Sequence, residues 1–163
     1  VLITNCSNNY GPYQFPEKLI PLIIINCINE NKLPIYGDGK NIRDWIYVED
    51  HCLGLLNILK NGKLGETYNI GANTEKTNKE IVELICMLMD KKIPRKNNES
   101  YKNLIVYVED RLGHDFRYAI NTKKIKEQIG WSPCTKFEKA IELTINWYIS
   151  NKWWWKNKIM EKK

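Results

Sequence analysis

Short runs rich in β-branched and aromatic residues alternate along this chain with segments whose apolar residues recur at helical spacing. That alternation narrows the available folds more than any other feature. Strands are expected at residues 1–4, 33–36, 67–70 and 104–108, with a further extended segment marked by Ile42, Trp45, Tyr47 and Val48. A helix opens near Pro16, a residue welcome in a first helical turn, and runs to about Glu30, with Pro21 either kinking it or moving its start. A second starts at Glu49 and Asp50, whose charges suit a helix N terminus, and carries Leu53, Leu56 and Leu59 on or near one face before Asn61 and Gly62 end it. A third is capped by Thr77 or Asn78, with Glu80 close behind and Ile81, Leu84, Ile85 and Leu88 at the helical period. A short helix capped by Asn121 or Thr122 ends near Gly130. The last spans residues 135–150, with Phe137, Ala140, Ile141, Thr144, Ile145 and Tyr148 as its buried stripe. Strands alternating with helices place the chain in the α/β class.

The 163 residues suffice for one domain with a real core, or for a piece of a larger one. No apolar run, residues 22–25 among them, comes near the roughly 20 residues that cross a bilayer, so no membrane partner is expected. The net charge of +6 invites a nucleic-acid reading, but only four of the 25 basic residues are Arg, and the lysines are scattered. Their one mild cluster, at Lys152, Lys156, Lys158, Lys162 and Lys163, reads as a solvated tail, and no nucleic acid is expected. The five cysteines form no CxxC pair, which argues against disulfides and zinc and for a reducing cytoplasm. Cys27, Cys52 and Cys86 sit in apolar sequence, where a free thiol behaves as a small hydrophobe. The chain begins at Val1 without a charged-then-apolar leader, so no signal peptide is expected, and the chain is read as processed or as a fragment.

Three loops hold the chemically informative residues. The first, residues 5–12, follows a strand and supplies three Asn and one Ser, neutral groups that suit a hydroxyl-rich or amide-bearing ligand. The same residues also suit a turn that bonds its own backbone. The second, residues 37–45, sets Arg43 among Gly and aromatic residues, where it could grip a phosphate or pair with Asp38 or Asp44. The third, residues 110–118, packs two Arg, His114 and two Asp into nine positions, as a charged ligand-binding loop or a surface salt-bridge loop. With His51 the only other histidine, no metal-ligand spacing is completed. Tyr148 and Lys152 share the Tyr-x-x-x-Lys spacing of short-chain dehydrogenases, but Tyr148 belongs to a buried stripe. Tyr36 and Lys40 span a Gly-rich turn. The run Trp153 to Trp155 reads as packing or an interface, and neither a Gly-rich dinucleotide fingerprint nor a P-loop occurs.

Taken together and in order, residues 5–18 (NCSNNYGPYQFPEK), 34–39 (PIYGDG), 43–50 (RDWIYVED), 65–71 (GETYNIG) and 110–119 (DRLGHDFRYA) closely resemble the carboxyl-terminal half of the dTDP-glucose 4,6-dehydratases. These belong to the extended short-chain dehydrogenase/reductase superfamily. The resemblance spans essentially the whole chain. It implies the last part of a Rossmann-like NAD-binding sheet joined to a small α/β substrate-binding domain, with residues 1–163 forming the carboxyl-terminal half. It implies a lyase that converts dTDP-glucose to dTDP-4-keto-6-deoxyglucose with NAD as cofactor, acting as a homodimer in polysaccharide synthesis. By the same resemblance Asn9 sits beside the nicotinamide end of NAD, and Asn8, Lys18 and Leu19 face the substrate. Pro34, Ile35 and Tyr36 line the nucleotide pocket, Arg43 and Asn78 reach the nucleotide diphosphate, and Asp110, Arg111, Gly113 and His114 form a further substrate segment.

Two departures qualify the resemblance. Leu112 stands where the family loop commonly has Pro, which loosens that backbone. The Gly-rich fingerprint and the catalytic groups belong to the family's amino-terminal half, so no catalytic residue is assigned here. The isolated chain is expected to be inactive and poorly folded. Rival readings are another nucleotide-sugar epimerase or decarboxylase of the superfamily, or a non-catalytic nucleotide-sugar-binding remnant.

Overall fold

The computed structural model of the chain describes residues 1–160, which leaves Lys162 and Lys163 outside the described residues. It is an α/β fold in which parallel pairing prevails. Strand β1 (Ile3–Cys6) pairs in parallel with β5 (Thr67–Ile70). Strand β3 (Leu33–Tyr36) pairs in parallel with β7 (Ile105–Val108). The third sheet is built around β4 (Ile42–Tyr47), which pairs in parallel with β2 (Asn8–Tyr10) and β8 (Arg117–Tyr118) and antiparallel with β6 (Glu75–Thr77). Helices α1 (Leu19–Ile28), α2 (Val48–Asn61), α3 (Asn78–Lys92), α4 (Lys123–Ile129), α5 (Phe137–Ser150) and α6 (Lys152–Met160) complete the described residues, with a 3-10 turn at Tyr101–Leu104.

Two apolar clusters hold these elements. The larger joins α1, α3 and α5 over β3 and β4, through Ile20, Ile23, Ile24, Ile81, Ile85, Ile141 and Ile145 among others. The smaller, made by Ile46, Ile58, Tyr68, Ile70, Ile125 and Trp131, seats α2 and α4 on β5. Each fully buried Ile stabilises by about 1.5–3 kcal/mol relative to exposure. Helix α5 buries the expected stripe of Phe137, Ala140, Ile141, Thr144, Ile145 and Tyr148. Helix α3 starts in a capping box, with Thr77 accepting from the Glu80 amide and Glu80 reaching back to the Thr77 amide. It buries Ile81, Val82, Ile85, Cys86 and Met89, while Leu84 and Leu88 are partly buried at the core edge. Gly130, in the left-handed region at φ 73°, ends α4.

The structure corrects four expectations. The polar stretch after β1 contains a strand, β2, because Tyr10 is buried and residues 8–10 pair with Trp45, Ile46 and Tyr47. Helix α1 starts at Leu19 rather than near Pro16; Pro21 thus falls in the first turn, where its missing N–H costs nothing. Helix α2 turns Asp50, Gly54 and Ile58 inward and leaves Leu53, Leu56 and Leu59 at 47%, 50% and 72% exposure. Gly54 makes that choice possible, since a Cβ there would lie 3.1 Å from the Trp131 ring. Cys52 shares the exposed side of α2, whereas Cys27 and Cys86 are buried. No helix among the described residues is long and apolar enough to cross a membrane.

Candidate functional site

The strand pairings converge on one cleft of about 530 Å³. Its walls come from β2 and the loop after it (Asn8, Asn9, Gln14, Glu17, Lys18), the start of α1 (Leu19, Leu22) and β3 (Pro34, Tyr36). Further walls come from β4 (Arg43, Trp45), the first residue of α3 (Asn78) and the loop after β7 (Arg111, His114). Because β2 lies beside β4, with Asn8 opposite Trp45, the two polar loops that flank these strands open on the same side. The volume is that of a site for one small molecule.

The cleft carries the cations Arg43, Arg111 and Lys18 together with one carboxylate, Glu17. Arg43 donates to the backbone carbonyls of Ile42 at 2.7 Å, Asp115 at 2.7 Å and Phe116 at 3.4 Å. Neutral carbonyls hold its plane. The pairing with Asp38 or Asp44 that the sequence allowed does not form. Asp38 pairs with Lys40 at 2.7 Å, and buried Asp44 accepts from the Ala72 and Thr74 amides. Arg111 donates to His114 Nε2 at 2.6 Å, and its guanidinium carbon lies 5.3 Å from the centre of the Tyr36 ring. His114 Nδ1 meets Asp110 Oδ1 at 2.7 Å. With Nε2 accepting from Arg111, the imidazole proton resides on Nδ1. The His114 hydrogen bond holds the Asp110 carboxyl below its ordinary range. Among the described residues neither Arg43 nor Arg111 forms an ion pair with a carboxylate. Arg117 does, gripping Glu75 through two bonds of 2.6 and 2.7 Å, so the loop from 110 to 118 partly lines the cleft and partly forms a surface ion pair.

Ten of the thirteen residues singled out from the sequence line this cleft: Asn8, Asn9, Lys18, Leu19, Pro34, Tyr36, Arg43, Asn78, Arg111 and His114. Three do not. Ile35 points into the core at 1% exposure, because strand alternation sends Pro34 and Tyr36 to one side and Ile35 to the other. Asp110 stands behind the wall and anchors His114 and the Arg111 amide. Gly113 supplies the left-handed turn, φ 69°, that folds His114 back toward Arg111. Gln14, Glu17, Leu22 and Trp45 also line the cleft and were not singled out. Gln14 and Glu17 lie inside a quoted motif and Trp45 follows Arg43 by two positions, so strand alternation on β4 could have found Trp45.

A family model described as GDP-mannose 4,6 dehydratase matches residues 1–144. The chain belongs to that dehydratase family. Among relatives of the family, a dTDP-glucose 4,6-dehydratase of Xanthomonas campestris is 52% identical over 154 residues, covering 94% of this chain and 44% of the relative. One from Escherichia coli is 54% identical over 156 residues, covering 94% and 43%. The crystal structure of a dTDP-glucose 4,6-dehydratase of Bacillus anthracis in complex with NAD superposes with a TM-score of 0.86 at 49% identity, over 96% of this chain and 47% of that one. The chain thus spans under half the length of the dehydratases it matches.

The family's cofactor can be weighed against the residues present. Asn9 Oδ1 receives a bond from His51 at 2.7 Å and Asn9 Nδ2 donates to the Ser7 carbonyl at 3.1 Å, so its amide is locked with one N–H left to offer. That suits a carboxamide or ribose oxygen. Nothing in this chain resembles the Gly-rich turn that holds a dinucleotide pyrophosphate.

Proposed function

We propose that this chain is the carboxyl-terminal, substrate-binding half of an NAD-dependent dTDP-glucose 4,6-dehydratase, a lyase serving deoxysugar and polysaccharide synthesis. The observation that carries the reading is the pair of guanidinium groups, Arg43 and Arg111, held in one cleft by neutral partners and, among the described residues, in no ion pair with a carboxylate. A diphosphate is the ligand class that answers two planar, permanently charged forks with bidentate acceptors. Half-exposed Tyr36 offers ring surface to a pyrimidine, and Asn8, Gln14, Lys18 and Asn78 offer amide and ammonium groups to hydroxyls.

In this reading Asn9 holds the nicotinamide end of NAD, while the rest of the cofactor and the catalytic groups are held outside this chain. When bound, NAD supplies the hydride store for a reaction that removes hydride from sugar C4, loses water across C5 and C6, and returns hydride to C6. The residues here bind and orient: Arg43 and Arg111 fix the diphosphate, and the locked Asn9 amide fixes the nicotinamide relative to it. The homodimer belongs to the same reading, through surfaces outside this chain, as does a cytoplasmic setting, which the free thiols favour.

The test joins this chain to the amino-terminal half of a related dehydratase. The fusion is expected to convert dTDP-glucose and to prefer it over UDP-glucose, while the 163-residue chain alone neither turns it over nor retains NAD. Turnover by the chain alone, or preference of the fusion for UDP-glucose, contradicts the reading.

A further inference from the structure

Tyr13 occupies the left-handed region at φ 62°, where a bulky side chain is disfavoured. The carboxyl-terminal helices hold it there. Its ring packs on Trp147 at 4.6 Å and 58° and on Trp154 at 5.6 Å and 88°, and the two indoles meet each other at 5.3 Å. The next residue is held as well: the fully buried Tyr148 donates its hydroxyl to the Gln14 carbonyl. Burial raises the Tyr148 phenol well above its ordinary value, so the group keeps its proton and remains a donor. The Trp155 indole N–H donates to the Tyr148 carbonyl at 2.9 Å and ties α6 to α5 at the same place. The hydroxyl of Tyr148 is therefore committed to the loop, and Lys152, four positions on, lies on the following helix.

The held turn leads directly into the cleft. Gln14 Nε2 donates to the Asn9 carbonyl at 2.8 Å, while Gln14 Oε1 is buried without a hydrogen-bond partner among the described residues. Gln14, Glu17 and Lys18 are cleft residues. Whatever sets the Tyr13–Gln14 backbone sets where these side chains stand.

We propose that Trp147, Tyr148 and Trp154 are positioning residues for the cleft. They form a clamp that keeps the Tyr13–Gln14 turn in its left-handed conformation and so presents Gln14 and Lys18 to a nucleotide-sugar ligand. The ligand rests on the function proposed above; the clamp rests on geometry alone. Aromatic contacts offset the disfavoured φ, and the Tyr148 hydroxyl selects the rotation of the Gln14 peptide. If the helices only packed against each other, loosening them would weaken the whole chain evenly.

The test compares the fusion to a related dehydratase's amino-terminal half with its Tyr148→Phe, Trp154→Ala and Trp154→Phe variants, by amide hydrogen exchange without ligand and by titration with thymidine 5′-diphosphate. Tyr148→Phe keeps the ring and loses one bond, so it preserves the core. It is expected to speed exchange in residues 13–18 about tenfold while leaving α3 unchanged, and to weaken the diphosphate about fivefold. Trp154→Ala is expected to do more, and Trp154→Phe to restore most of the loss. Unchanged exchange in residues 13–18, an equal rise in α3, or a parent whose residues 13–18 exchange like an unstructured peptide overturns the clamp. A parent that shows the exchange pattern yet binds no diphosphate supports the clamp and contradicts the nucleotide-sugar reading.

Discussion

His51 Nδ1 and Asn9 Oδ1 lie 2.7 Å apart, and this bond fixes which way the Asn9 amide faces. Because Asn9 Nδ2 already donates to the Ser7 carbonyl, the oxygen must be the atom turned to His51, and His51 must donate. The first turn of α2, brought beside β2 by the β2–β4 pairing, thereby sets the amide that faces the cleft.

Burial holds the His51 imidazole below its ordinary value. The unfolded chain therefore takes up this proton at a higher pH than the folded chain. The stability this creates is fully present above the ordinary value of about 6.5 and is lost as pH falls through it toward the lower folded value. Urea midpoints measured from neutral to mildly acidic pH are expected to fall more steeply for the parent than for His51→Gln. Parallel slopes contradict the assignment.

Gly71 is the tightest point behind the cleft. A Cβ there would lie 2.5 Å from both Asp44 Oδ2 and Ile120 Cγ2. Asp44 is fully buried and accepts from the Ala72 and Thr74 amides, so it cannot move without stranding both. Gly71→Ala is expected to cost about 1–3 kcal/mol in denaturant unfolding. A neutral result means that the turn after β5 yields freely.

The sequence made the self-contained elements legible. The α5 stripe, the Thr77–Glu80 box and the Gly130 stop each depend on residues within one helix and its ends, so their spacing determined them. Strand β2 was hidden because Asn is depleted in strands, and only pairing with β4 makes residues 8–10 extended. The leucines of α2 satisfied the helical period as well as Gly54 and Ile58 do. Period alone does not say which face meets the core, and Trp131, far along the chain, decides it. The cleft residues were singled out through motif resemblance; of the three that do not line it, Ile35 is one that strand alternation would have removed, while Asp110 and Gly113 shape the loop behind it. Gln14 escaped notice because its place depends on Tyr148, 134 residues away.

The outward leucines of α2 give a solution prediction. Exposed contiguous apolar surface drives association. Leu56→Glu with Leu59→Lys is expected to reduce self-association of the chain in sedimentation velocity, and to change unfolding stability by no more than about 0.5 kcal/mol. Unchanged association means this face does not drive it, and a stability loss on the order of 2 kcal/mol means the leucines are packed rather than exposed.

Titration calorimetry with thymidine 5′-diphosphate on the fusion protein tests the central claim, that Arg43 and Arg111 form a diphosphate site, most directly. Arg43→Ala and Arg111→Ala are each expected to weaken binding about ten- to a hundredfold, since a charge-assisted hydrogen bond contributes roughly 1.5–3 kcal/mol. Arg43→Lys is expected to be impaired too, because an ammonium cannot replace a fork held by three carbonyls. Exposed Lys156→Ala is expected to change nothing measurable. If Lys156→Ala weakens the diphosphate and the two arginine substitutions do not, general basicity binds the ligand and the site described here is wrong.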